Sequence, residues 1–108
     1  MYFFDRSSMQ EHLQVGGGRR YVASGERMMM LLLELPPGAV VPLHSHPHEQ
    51  LGIVLEGEFE LIVGGERRDM KPGDMYIIPG GVPHQAIGSE KTALFFDVWS
   101  PPREQLLD

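Results

Sequence analysis

Glycine and proline recur at short intervals along this chain, and that punctuation constrains its fold more than any other feature. They fall at Gly25, Pro36-Pro37-Gly38, Gly57, Gly64-Gly65, Pro72-Gly73, Pro79-Gly80-Gly81 and Gly88. The segments between them read as strands near 19–24, 27–35, 40–46, 50–56, 58–63, 66–71, 74–79, 83–88 and 91–99. Short segments between regularly placed turn signals predict an all-β sandwich or barrel. One pair is sharp: F-E-L-I-V, then Gly64-Gly65, then E-R-R-D-M reads as a two-residue hairpin. Glycine at both central positions supplies the positive φ that such a turn needs.

A chain of 108 residues is expected to form one domain around one core. Gly16-Gly17-Gly18 could hinge a loose or dimer-forming N-terminal segment, residues 1–18, onto the main body. The net charge of -6 carries no basic footprint, which argues against nucleic acid and against an anionic membrane. With no cysteine, neither disulfides nor thiolate zinc sites hold the fold. Asp5 and Arg6 interrupt what a signal peptide needs, and the apolar run Met28 to Leu33 is too short to span a bilayer, so a cytoplasmic location is the expectation. The stretch E-R-M-M-M-L-L-L-E-L is built from helix formers. It nevertheless has no polar face and ends at Pro36-Pro37, so a strand apolar on both sides fits as well.

Of the five histidines, four lie in two stretches. In L-H-S-H-P-H-E-Q, His44 and His46 stand two apart on a predicted strand and so share a face. A bare H-x-H is usually a surface pair, but Val40, Val41 and Leu43 place this one on a strand expected to be buried. Two inward imidazoles need a partner, and a metal satisfies both. The second stretch, P-G-D-M-Y-I-I-P-G-G-V-P-H-Q-A-I-G, carries His84. Together they form a double pattern: Gly38, five residues, His44-x-His46, three residues, Gln50, six residues, Gly57; then Gly73, five residues, Pro79-x-Gly81, two residues, His84.

This pattern resembles the two motifs of the cupin superfamily over about residues 27–99. The resemblance implies a small jelly-roll β-barrel (a double-stranded β-helix), often dimeric, with one divalent metal at the barrel mouth. It implies His44, His46, Gln50 and His84 as the ligands, and it favours a strand for 27–35. Gln50 stands where the family usually has glutamate, and Gly88 where the second motif often has asparagine. His48 and Glu49 fall in the spacer and are expected at the rim, since Pro47 breaks the strand. Glu49 is the rival to Gln50, because a one-residue slip of register would exchange their faces. His12 is expected to face solvent.

A glutamine amide takes no charge off a divalent ion, so such a site should be a strong Lewis acid that attracts an anionic ligand. Nitrogen-rich ligation favours later metals over Mn, but Ni, Zn, Fe and Cu all accept imidazole. The last strand, T-A-L-F-F-D-V-W-S, puts Asp97 and Trp99 on one face, and Arg103 follows a Pro-Pro bend that could fold it back over the mouth. Read alone, these are a rim salt bridge and a core tryptophan. The H-P-H-E-Q stretch, the glutamine and the ending D-x-aromatic-S-P-P-R-E together are similar to the pectin-degradation cupins of the KdgF type. That resemblance implies an enzyme opening the ring of 4,5-unsaturated uronates, with Asp97, Trp99 and Arg103 as the substrate site. Arg103 would clamp a carboxylate, Asp97 move a proton and Trp99 stack on the sugar. The family more often has phenylalanine at the aromatic position, so pocket size is open. The expected partner is a small anionic sugar or metabolite, and the expected assembly a homodimer. The alternatives are another metal cupin enzyme, such as a quercetinase-like dioxygenase, and a non-catalytic sugar- or metabolite-binding cupin.

Overall fold

The computed structural model describes residues 2–3 and 5–104. A short 3-10 turn at Arg6–Ser8 precedes ten strands: β1 (Gln10–Leu13), β2 (Arg19–Ser24), β3 (Met29–Leu35), β4 (Val40–His44), β5 (Glu49–Glu56), β6 (Phe59–Val63), β7 (Glu66–Met70), β8 (Met75–Ile78), β9 (His84–Gly88) and β10 (Ala93–Ser100). They form a six-stranded sheet in the order β1-β2-β3-β10-β5-β8 and a four-stranded sheet in the order β4-β9-β6-β7. From β3 onward each Gly- or Pro-marked corner carries the chain from one sheet to the other. The exception is the β6–β7 hairpin, where Val63 pairs with Glu66 across Gly64 and Gly65, at φ 56° and 84°.

The expected closed barrel is therefore corrected. The fold is all-β, but both sheets are open: β1 and β8 end one, β4 and β7 the other, and no ladder among the described residues joins one sheet to the other. What holds the layers together is side-chain packing between their inner faces, not a continuous ring of backbone hydrogen bonds. Phe59 of β6 stacks on Phe95 of β10 at 4.6 Å between ring centroids, one from each sheet. Each such fully buried side chain contributes roughly 1.5–3 kcal/mol.

The Met-Leu run is a strand. Met29, Leu31, Leu33 and Leu35 point into the core, while Met30, Leu32 and Glu34 lie on the outer face. Ladders to β2 and β10 on both sides satisfy its backbone, so burial overrides helix propensity. Gln10–Leu13, where the turn pattern marked no strand, pairs with β2 along the sheet edge. The registers that matter for function are at one end of the molecule, where His44 lies opposite His84, Trp99 opposite Gln50 and Asp97 opposite Gly52.

Candidate metal centre

The pairing of β4 with β9 brings His44 to His84, and the 45–48 corner returns His46 over both. Ring centroids lie 4.3 Å apart for His44 and His84 and 4.9 Å for His46 and His84, and one ligand atom of each ring lies within 4.8 Å of the others. His46 and His84 are buried and His44 half-buried. Each ring is aimed by its own main chain. His44 Nδ1 is 2.7 Å from the Pro42 carbonyl, His46 Nδ1 3.1 Å from that of His48, and His84 Nδ1 2.9 Å from that of Val82. A carbonyl can only accept, so Nδ1 carries the proton in all three and each Nε2 presents a lone pair.

Those lone pairs converge on a space that needs a cation. His84 Nε2 is buried without a partner. His46 Nε2 faces Gln50 Oε1 at 3.1 Å, and with Nδ1 protonated that is one acceptor against another. Burial, then the charges of Arg103 and His84, push His46 down to about 4. Burial likewise holds His84 below the usual imidazole range. Both rings are therefore neutral at neutral pH, the form that ligates. The three histidines can coordinate a divalent metal ion, and the donor set fits one.

Strand β5 turns Gln50 inward, where it is buried, and leaves Glu49 exposed on the other face. The glutamine amide is held from both ends. Trp99 Nε1 donates to its Oε1 at 2.9 Å, and its Nε2 donates to Asp97 Oδ2 at 2.8 Å. Indole is only a donor, so the end of the amide that meets Trp99 is the oxygen and the end that meets Asp97 is the NH2. That oxygen faces His46. Asp97 is 1% exposed and also accepts from the Tyr76 hydroxyl. Burial pushes its carboxyl up to about 7, against the opposing pull of the bonds from Tyr76 and Gln50. Gly52 makes the room, since a Cβ there would sit 2.0 Å from Asp97 Oδ1 and 2.3 Å from the Tyr76 ring.

Beside this centre lies a cavity of about 440 Å³, walled by Leu31, Leu33 and Phe95 and reached by Gln50, Asp97 and Arg103. The half-buried Arg103 guanidinium sits 5.5 Å from the Trp99 ring centroid. Trp99 itself is 4% exposed and lines the cavity, and its indole backs the amide and the guanidinium. Glu49 is exposed, His48 half-buried with its carbonyl on His46, and His12 half-buried, not turned out to solvent. Gly88 is a packing position: a Cβ would lie 2.9 Å from the carbonyl oxygens of Ala39 and Pro36.

Residues 31–99 match the cupin domain family. This chain belongs to the cupin family. It is 31% identical over 107 residues to the pectin degradation protein KdgF of Dickeya dadantii, covering 98% of this chain and 97% of that one. It is similar in structure to KdgF from a Halomonas species, at a TM-score of 0.87 and 30% identity over 98% of both chains. An RmlC-like cupin of Shewanella frigidimarina superposes at a TM-score of 0.89 with 27% identity, over 98% of this chain and 96% of its own.

Two residues of this cupin's cavity escaped the reading of motifs. Tyr76 lay in the second stretch as an ordinary strand residue, and only the β5–β8 register, pairing it with Gly52, reveals its bond to Asp97. Arg20 lines the same cavity. Its signal was present: in R-R-Y-V-A-S, period-two alternation with a buried Val22 turns Arg20 inward.

Proposed function

We propose that this cupin opens the ring of 4,5-unsaturated uronates such as those released from pectin or alginate, with His44, His46, Gln50 and His84 as metal ligands. The observation that carries the reading is the placement of Asp97. One buried carboxyl, held near neutrality, is bonded to the inward glutamine and shares its cavity with a guanidinium that has no carboxylate partner among the described residues. The similarity to KdgF over nearly the whole chain supports it.

A bound divalent ion would supply Lewis-acid polarisation of a sugar oxygen. The remaining roles belong to the chain. Arg103, braced on Trp99, binds the uronate carboxylate and sets the ring's orientation. Asp97 takes the proton from the anomeric hydroxyl as the ring bond to C1 breaks and leaves an enolate at C5, and returns it to C4 as that enolate becomes a ketone, so no proton is gained or lost overall. A carboxyl poised near 7 suits both directions of that transfer. Trp99 and Tyr76 keep Gln50 and Asp97 in register. The apolar walls exclude water from the enolate.

The test is loss of the conjugated ultraviolet absorbance of unsaturated galacturonate on adding metal-loaded protein. Asp97→Asn and Arg103→Ala should each lower turnover by about 100-fold or more. Turnover unchanged in both variants, or a wild-type rate equal to the spontaneous one, refutes the assignment. Oxygen uptake with an apolar phenolic substrate would instead favour a dioxygenase.

We read the assembly as a homodimer formed through the outer face of the six-stranded sheet. Leu51, Met75 and Ile77 are 44%, 73% and 65% exposed there, beside Ile53, Phe96 and Val98. An exposed apolar patch of this kind marks an interaction surface.

A further inference from the structure

The triglycine and the inward arginine of β2 belong together. Gly16 accepts a hydrogen bond from the Val40 amide at 3.1 Å, and a Cβ on it would lie 1.6 Å from the Val40 carbonyl oxygen. The turn after β1 is thus seated on the start of β4, the strand that carries His44. It brings Gln14 to the cavity wall beside Arg20. Adjacent arginines of β2 are treated differently by the fold. Arg19, on the outer face, pairs with Glu11 at 3.2 Å. Arg20, opposite Leu33 on the inner face, is half-buried and has no carboxylate partner among the described residues. Neutral oxygens hold one end of it: Nη1 donates to the Leu13 carbonyl at 3.1 Å and, more weakly, to Gln14 Oε1 at 3.5 Å. Its Nε is buried without a partner, as is that of Arg103.

Two guanidiniums from opposite ends of the chain therefore reach one cavity, and neither has a counter-charge there. Among the described residues lining the cavity, Asp97 is the only carboxyl, and it is already committed to Tyr76 and Gln50. The two cations also oppose each other. Burial holds both below the usual arginine range, and the charge of Arg20 adds to the shift of Arg103. Like charges taken partly out of water are costly unless an anion joins them.

We infer that Arg20 and Arg103 close on one and the same carboxylate, so that Arg20 is a second binding residue for the sugar acid and helps to distinguish it from a neutral sugar. This rests on the uronate reading above. A monomeric unsaturated uronate has a free anomeric hydroxyl and a single carboxylate, so its one charge serves both guanidiniums. A carboxylate is equal to that: its oxygens offer about four acceptor sites, enough for donors from both sides. An anion placed between the two cations turns their repulsion into two attractions. The arrangement also gives the N-terminal hairpin a role, because it supplies one jaw of the clamp while the segment after β10 supplies the other.

The experiment is calorimetric titration of the zinc-loaded full chain with galacturonate and with galactose, which differ only at the carboxylate carbon, beside steady-state turnover of unsaturated galacturonate. The wild type should bind galacturonate about tenfold or more tightly than galactose. Arg20→Gln and Arg20→Met should each lower galacturonate affinity about tenfold and leave galactose affinity unchanged. For the unsaturated sugar they should raise KM about tenfold at a wild-type kcat. Unchanged galacturonate affinity overturns the clamp and leaves Arg103 alone on the carboxylate, with the uronate reading standing. Equal weakening of both sugars also overturns it, making Arg20 a wall of the cavity and not a contact of the carboxylate. Galacturonate binding that depends on Arg20, without turnover of the unsaturated sugar, supports the clamp and overturns the ring-opening reading. A wild type that does not prefer galacturonate to galactose refutes both. Arg20→Met preserves the packing of the arginine stem, and unchanged galactose affinity certifies an intact site in either variant.

Discussion

At the scale of single residues, Gln50 concentrates the chemistry, because its amide joins the histidine cluster to the carboxyl. Replacing it with alanine removes the oxygen facing His46 and frees a buried Asp97. Metal retained after dialysis against a weak chelator should fall about tenfold or more in Gln50→Ala, as for loss of groups that hold a metal site. Glu49→Ala, on the outward face, should retain metal as the wild type does. Asp97 makes a second prediction, for the metal-free protein. Its carboxyl is held at about 7 against 3.8 in the unfolded chain, so on raising the pH between those values the unfolded chain releases a proton that the folded one keeps. This group's contribution to stability is therefore complete below about 4 and is lost as pH rises through about 7. His46 runs the opposite way: held at about 4 against 6.5, it loses stability as pH falls through the same window. Asp97→Asn removes the first effect and leaves that of the buried histidines. Its urea midpoint should rise with pH between about 4 and 6.5 more steeply than that of the wild type, and parallel curves would contradict the buried neutral carboxyl.

At the scale of elements, the β1–β2 turn depends on a backbone shape that only glycine adopts at low cost. Gly16 has φ 89°, and its Cα hydrogen points at the Val40 carbonyl oxygen. Gly16→Ala should destabilise the protein by about 1–3 kcal/mol, read as a lower urea midpoint, and should raise hydrogen exchange in β1 before it does so in β3. Much of this architecture was legible in the sequence. Turn residues marked the strand boundaries, and the spacing from Gly38 to His84 marked the cluster. Other parts were not, each for a physical reason. Period-two alternation says which face a residue occupies but not whether the outermost strands of two sheets find each other, so closure into a barrel could not be read. Q-E-H-L in β1 has no apolar alternation, being exposed or half-buried throughout, and so gave no strand signal. Which of Gln50 and Glu49 faces inward turns on a register of one residue, which the β5 ladders with β10 and β8 set. Arg20 and Tyr76 depend on which distant residue lies across a ladder, and local pattern carries no such information.

At the scale of the whole molecule, the two faces of the six-stranded sheet differ in kind. The inner face is core and site, while the outer face leaves Leu51, Met75 and Ile77 to water. Sedimentation should show a dimer at micromolar concentration, and Ile77→Lys should shift it to monomer with the metal content unchanged. A wild-type monomer would leave that face without the proposed role.

The three Nδ1 bonds of the histidines have a consequence for how such a chain can change over generations. Each ring is oriented by a carbonyl two positions away on its own strand or corner, not by another side chain. Substitutions elsewhere have no orienting partner to remove, so the anchor tolerates drift in its surroundings. Arg20 and Arg103, which make no bond to the three rings, can then be exchanged around a fixed tripod, and new chemistry can be tried without dismantling the old support.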